Sequence, residues 1–86
     1  MFRLHRERTA LATTLRLAGR LDATNAATVA AMVDDCLRAG HRLVLDLAGL
    51  QFADAEGVRC LQRARRVGAQ LVHGSTFLRH LLETPA

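Results

Sequence analysis

The stretch Leu43-Val44-Leu45-Asp46-Leu47-Ala48-Gly49-Leu50-Gln51-Phe52-Ala53-Asp54-Ala55-Glu56-Gly57-Val58 decides the fold. Leu43 to Leu47 is apolar except for Asp46, the pattern of a central strand covered on both faces. Gly49-Leu50-Gln51-Phe52-Ala53 reads as a loop, with Phe52 turned into the core. A helix is expected from about Ala55 to Val67, and Asp54 is placed to cap it by accepting from an unpaired first-turn N–H. Cys60, Leu61, Ala64 and Val67 recur at helical spacing and should face inward, whereas Arg59, Arg63 and Arg66 form the wet stripe. Val58 projects away from the inward stripe, where it suits a contact patch as well as an ordinary exposed valine. Asp46, at the end of its strand, is expected to join Asp22, Asp54 and Glu56 in an acidic rim, since sites in open α/β sheets gather at carboxyl ends of strands.

Upstream, Phe2, Leu4 and Arg6 fall on one face of a short edge strand. Leu11, Thr13, Leu15 and Leu17 then alternate with small or charged residues, the period of a half-buried strand. Gly19-Arg20-Leu21-Asp22 ends it. A helix follows over about Thr24 to Arg38, capped by Asp22 or Thr24, with Ala26, Val29, Ala30, Val33, Cys36 and Leu37 on one stripe. Gly40 supplies its left-handed stop. Downstream, Gly68 ends the second helix and Gln70-Leu71-Val72-His73 makes a short strand. Ser75 caps a last helix carrying Phe77, Leu78, Leu81 and Leu82, which Pro85 halts. The order β-β-α-β-α-β-α predicts an α/β fold, a small mixed sheet of about four strands with three helices.

The 86 residues are enough for a single domain, 1–86, and half of them are hydrophobic. With three Phe and no Trp or Tyr, the core must be Leu, Val and Ala. All twelve basic residues are Arg, giving a net charge of +4. They are scattered and no aromatic platforms interleave with them, so no nucleic-acid partner is expected. Cys36 and Cys60 form no CxxC and read as reduced core residues of a cytoplasmic protein. The charged start, Met1-Phe2-Arg3-Leu4-His5-Arg6, is unlike a signal peptide, and no apolar run would insert in a membrane.

The central stretch resembles the middle of the STAS domain, a family named for sulfate transporters and anti-sigma factor antagonists: an apolar strand ending in Asp, a Gly-containing loop with an aromatic, then Asp-Ser-Ser-Gly and a helix. Gly19-Arg20-Leu21-Asp22 is similar to the family's Gly-x-Leu-Asp turn. Leu71-Val72-His73-Gly74 and Phe77-Leu78-Arg79-His80-Leu81-Leu82 are similar to its late strand and following helix. The resemblance implies a non-enzymatic, bacterial transcription-regulating module of the anti-sigma factor antagonist type. Its partner would be a kinase-like anti-sigma factor, bound through Asp22, Asp54, Ala55, Glu56, Gly57, Val58 and Arg59. The alternative is an accessory subunit bound to the ATPase of an ABC-type lipid transporter. A homo-oligomer is compatible with either. Members of the family usually continue with another strand and helix beyond the point matching Ala86.

The departure of most consequence is at the family's phosphorylated Ser, which is Glu56 here, preceded by Ala55 in place of the other Ser. Neither has a hydroxyl, so the resemblance implies a module without the usual phosphoswitch. Two readings of Glu56 stand side by side. A first-turn carboxylate is favourable to the helix dipole by about 0.3–1 kcal/mol whatever its function. It also imitates a phosphoserine in part, with one charge where the phosphate carries about −1.5 to −2.

Catalytic chemistry finds no footing. Ser75, the only serine, is spent on capping; His5, His41, His73 and His80 show no metal-ligand spacing; the glycines stand singly at element ends. No enzyme activity, cofactor or metal is expected.

Overall fold

The computed structural model describes residues 1–83. The elements are β1 (Phe2–Arg8), β2 (Ala12–Leu21), α1 (Ala26–Arg38), β3 (Arg42–Ala53), α2 (Ala55–Arg66), β4 (Gln70–Val72) and α3 (Thr76–Glu83). The sheet is four-stranded in the order β1-β2-β3-β4. β1 runs antiparallel to β2, and β2, β3 and β4 are parallel neighbours. The expected mixed sheet with three helices is the fold. The stop expected at Pro85 lies outside the described residues.

Two right-handed crossovers taken in the same direction put α1 and α2 on the same face of the sheet. The burial pattern follows: Leu15, Leu17, Leu43, Leu45 and Leu47 are buried on the helix side, together with Val29 and Val33 of α1 and Leu61 and Ala64 of α2. The opposite face carries Thr14, Arg16, Val44 and Asp46, none of them buried. The expectation that β3 is covered on both faces is therefore corrected. Val44 made the run look continuous, and Asp46 was the mark of an open face.

The supposed loop Gly49–Ala53 is the second half of β3. Its pairing with β2 runs Arg16↔Asp46, Ala18↔Gly49, Gly19↔Leu50 and Arg20↔Phe52. β3 thus advances one residue more than β2 between the first two pairs and again between the last two, which is the signature of bulges. Each extra residue resets the alternation, so Leu47, Leu50 and Ala53, spaced by three, all reach the core. Phe52 is only half-buried and lies under the Arg20 guanidinium, 4.4 Å from the ring centroid.

Asp46 supports the first bulge. Its Oδ1 accepts from the Ala48 N–H (3.0 Å) and lies 3.1 Å from the His73 ring nitrogen. Arg16 stands 3.9 Å from Oδ2. The Ala48 N–H holds the Asp46 carboxyl below its ordinary value, against the opposing pull of burial and with help from His73 and Arg16. His73, just past β4, adopts a left-handed backbone (φ 60) as it brings its ring there.

Several expected faces shift by a residue or two. Leu11 is 84% exposed in the turn before β2, while Leu21 continues the buried face. α1 starts at Ala26, after Thr24, and no side chain caps it. Asp22 Oδ1 instead accepts from the Thr24 N–H (3.0 Å), and Asn25 reaches back to the Asp22 N–H (2.9 Å) and the Arg20 carbonyl (3.1 Å). Val67, expected inward, is 45% exposed at the end of α2, and Phe77 is 58% exposed on α3. Gln62 takes the inward place nearer α3: its Nε2 donates to the Leu82 carbonyl (3.0 Å), which also accepts from Arg65 (3.1 Å). Gly40 ends α1 as expected, with positive φ and the two reversed bonds His41 N–H to Cys36 O and Gly40 N–H to Leu37 O. Ser75 caps α3 through the Leu78 N–H (3.1 Å).

Because the Asp46 value is lowered on folding, its contribution is complete above the ordinary aspartate range and is lost as pH falls through the folded value. Asp46→Ala is expected to cost about 1.5–3 kcal/mol at neutral pH, the range for hydrogen bonds to a charged group. Urea unfolding across pH checks this: the gap from wild type should close in acid. A gap that stays constant would refute the role of the carboxylate.

Candidate functional site

The start of α2 is built by one close approach. The Asp54 N–H donates to the Leu21 carbonyl (3.1 Å), tying the end of β3 to the end of β2. Three residues on, Gly57 lies against the same carbonyl; a Cβ there would stand 2.4 Å from the Leu21 oxygen. Glycine is therefore required by space, because no side chain fits between the helix and the strand end. Asp54 has extended backbone angles and acts as the N-cap, with Oδ1 accepting from the Gly57 N–H (2.8 Å). Its other oxygen accepts from the Ala23 N–H (3.3 Å) in the turn before α1. One carboxylate thus joins two helix approaches.

Around this clamp the expected site residues separate into two groups. Ala55, Glu56 and Arg59 are exposed, as are Ala23 and Thr24 across the clamp. Asp54 and Asp22 are half-buried and satisfied within the turn. Gly57 is buried and offers no side chain, so its part is to set where the helix sits. Val58 is half-buried and packs against the core. The acidic rim is corrected. Asp46 lies in the middle of β3, on the open face with Arg16 and His73, and does not join Asp22, Asp54 and Glu56.

Glu56 makes an ion pair with Arg59, one turn on, both side chains being more than half exposed. Such a pair adds only about 0–1 kcal/mol to stability. Its larger effect is on the surface, where it sets a positive charge beside the Glu56 carboxylate. Further along, Arg63 pairs with Asp34 of α1 (3.1 Å), fastening the two helices side by side. The Cys60 thiol lies 3.5 Å from the Ala26 carbonyl, and burial raises its pKa. Both cysteines are free.

Sequence reasoning missed Ala23 and the Asp34–Arg63 pair. Ala23 takes part through its backbone N–H, which no side-chain motif announces. Arg63 was placed on the wet stripe of α2, and only the packing of α1 on α2 brings Asp34 to it. Among the described residues no three of His, Cys, Asp and Glu are grouped so as to hold a metal. No helix among them is long and apolar enough to cross a membrane.

A mixed sheet with α1 and α2 on one face, and a glycine-pinned helix start at the end of β3, define a small α/β module with a STAS-like fold. The family model described as "Mlab, STAS domain" matches residues 4–84, and the chain belongs to this STAS family. A comparison with curated proteins finds no significant match. Among solved structures, the anti-sigma factor antagonist SpoIIAA in its unphosphorylated form is similar at 22% identity and a TM-score of 0.75, over 96% of this chain and 82% of that one. The Bacillus SpoIIAA in its phosphorylated form is similar at 21% identity and a TM-score of 0.74, over 96% and 81%. An anti-sigma factor antagonist STAS domain from Rhodobacter sphaeroides matches at 23% identity and a TM-score of 0.64, over 87% and 92%. These likenesses bear on fold, and the two forms of SpoIIAA match it alike.

Gly57→Ala should lower stability by about 1–3 kcal/mol, the range for overpacking a tight contact. Asp54→Ala should cost about 0.5–2 kcal/mol, as loss of an N-cap. Thermal or urea unfolding of the two variants measures both losses, and a neutral Gly57→Ala would mean that α2 does not bear on Leu21.

Proposed function

We propose that the chain is a non-enzymatic, cytoplasmic interaction module that docks a protein partner through the clamped start of α2, with Ala55, Glu56 and Arg59 as the contacting side chains. Asp22, Asp54 and Gly57 position that surface. The observation that carries the reading is the Asp54 carboxylate, which joins the approach to α1 with the first turn of α2 and so fixes exposed residues of both in one patch. The partner is a kinase-like anti-sigma factor, by family likeness. Fixed geometry of this kind lowers the ordering cost of association.

Glu56 is the regulatory question. Its pairing with Arg59 sets opposite charges side by side, so the two together are neutral as a unit. That supports a docking state equivalent to the unphosphorylated one, held permanently because Ala55 and Glu56 have no hydroxyl to modify. The same observation favours a second reading: a constitutive surface suits an accessory subunit that stays bound to a transporter ATPase.

Binding to a purified candidate partner tests the proposal. Ala55→Arg, a bulky charge on an exposed position, should weaken binding by about tenfold or more, which corresponds to about 1.4 kcal/mol. Unchanged binding would remove the patch from the interface. Glu56→Ser should bind within about threefold of wild type before kinase treatment and lose affinity after it. A rise of about tenfold or more in the untreated variant would show that Glu56 acts as a fixed phosphoserine-like charge, against the neutral reading.

A further inference from the structure

A groove of about 500 Å³ lies between β4 and α3, away from the start of α2. Leu47, Leu71 and Leu82 give it apolar lining, Arg65 and Arg79 are exposed at its rim, and Glu83 is its one carboxylate. Arg65 donates one N–H to the Leu82 carbonyl and keeps its charge. Arg79 has no ion-pair partner among the described residues. Beside the groove, β4 is the last strand of the sheet among the described residues and pairs there with β3 alone. An edge of this kind presents N–H and C=O groups to whatever chain comes alongside.

We propose that the outer edge of β4 takes an extended acidic segment of a partner protein by strand addition, with alternate carboxylates of the segment reaching Arg65 and Arg79 across the groove. The register supports the geometry. Leu71 is paired with Leu45, a buried core-facing residue, so the groove lies on the helix side of β4. An added strand sends every second side chain to that side. Carboxylates sent to that side meet the two arginines at the rim of the groove. Backbone pairing supplies affinity and the arginines select for acidic sequence. A second copy of this chain is a poor occupant, since it would bring its own Arg65 and Arg79 and a like net charge of +4. The surface uses only the last turn of α2 and none of the residues assigned to docking above, so each stands or falls alone.

The test is a titration of the isotope-labelled protein with a short peptide alternating valine and glutamate, followed by amide resonances. Shifts are expected at Gln70, Leu71 and Val72 and along α3, with binding that weakens as salt rises. Arg79→Glu should weaken binding by about tenfold and Arg79→Gln by about threefold, with the remaining spectrum unchanged. A peptide methylated on alternate backbone nitrogens, or with lysine in place of glutamate, should not bind. The proposal is overturned by three results: no shifts at β4, equal binding of the methylated peptide, or inorganic phosphate producing the same shifts, which would mark a small-anion site.

Discussion

The Leu21 carbonyl accepts the Asp54 N–H while Gly57 presses close above it, and the rest of the site follows from that contact. It fixes where β3 stops, because a strand whose last N–H is directed at the end of β2 has nowhere to continue. It also fixes where α2 begins. The Asp54 carboxylate then has one oxygen free to reach Ala23, and the two helix approaches become a single rigid surface. A larger residue at position 57 would lift the helix from the strand end and separate Ala55 and Glu56 from Ala23 and Thr24. The patch proposed for docking is thus a consequence of packing at a point where only glycine fits.

The second half of β3 shows how a strand can look like a loop. Period-2 alternation is the usual sign of a strand, and Leu47, Leu50 and Ala53 break it by standing three apart. The bulges against β2 account for the spacing, and Asp46 satisfies the Ala48 N–H that the first of them leaves without a strand partner. Asp46 was read as a site residue because acids near a strand end often are. Its neighbours show that it is spent on the backbone of its own strand and on His73 from beyond β4. The same network decorates the open face of the sheet, which the sequence disguised by placing Val44 between two leucines.

The element order, the sheet composition, the Asp54 cap and the stops at Gly40 and Gly68 were legible because each rests on local chemistry: periodicity, an oxygen near free N–H groups, a residue able to turn left-handed. What was not legible depends on distant partners. Gln62 is buried because the Leu82 carbonyl lies opposite it, and Val67 is exposed because α2 ends before it. Asn25 took over the turn that Asp22 and Thr24 were expected to cap. At the site, the motif located Glu56, but the surface it presents depends on Arg59 lying one turn on and pairing with it. The family resemblance located the position, and the ion pair gives it a different character from a lone carboxylate.

The central claim is that the first turn of α2 is clamped onto the end of β2. Hydrogen exchange of the backbone amides measures this directly, since protection reports the free energy of opening each bond. The account predicts that the Asp54 and Gly57 N–H groups are protected to the same degree as Leu45 in the middle of β3. Exchange at the rate of an exposed turn, with Leu45 still protected, would contradict it.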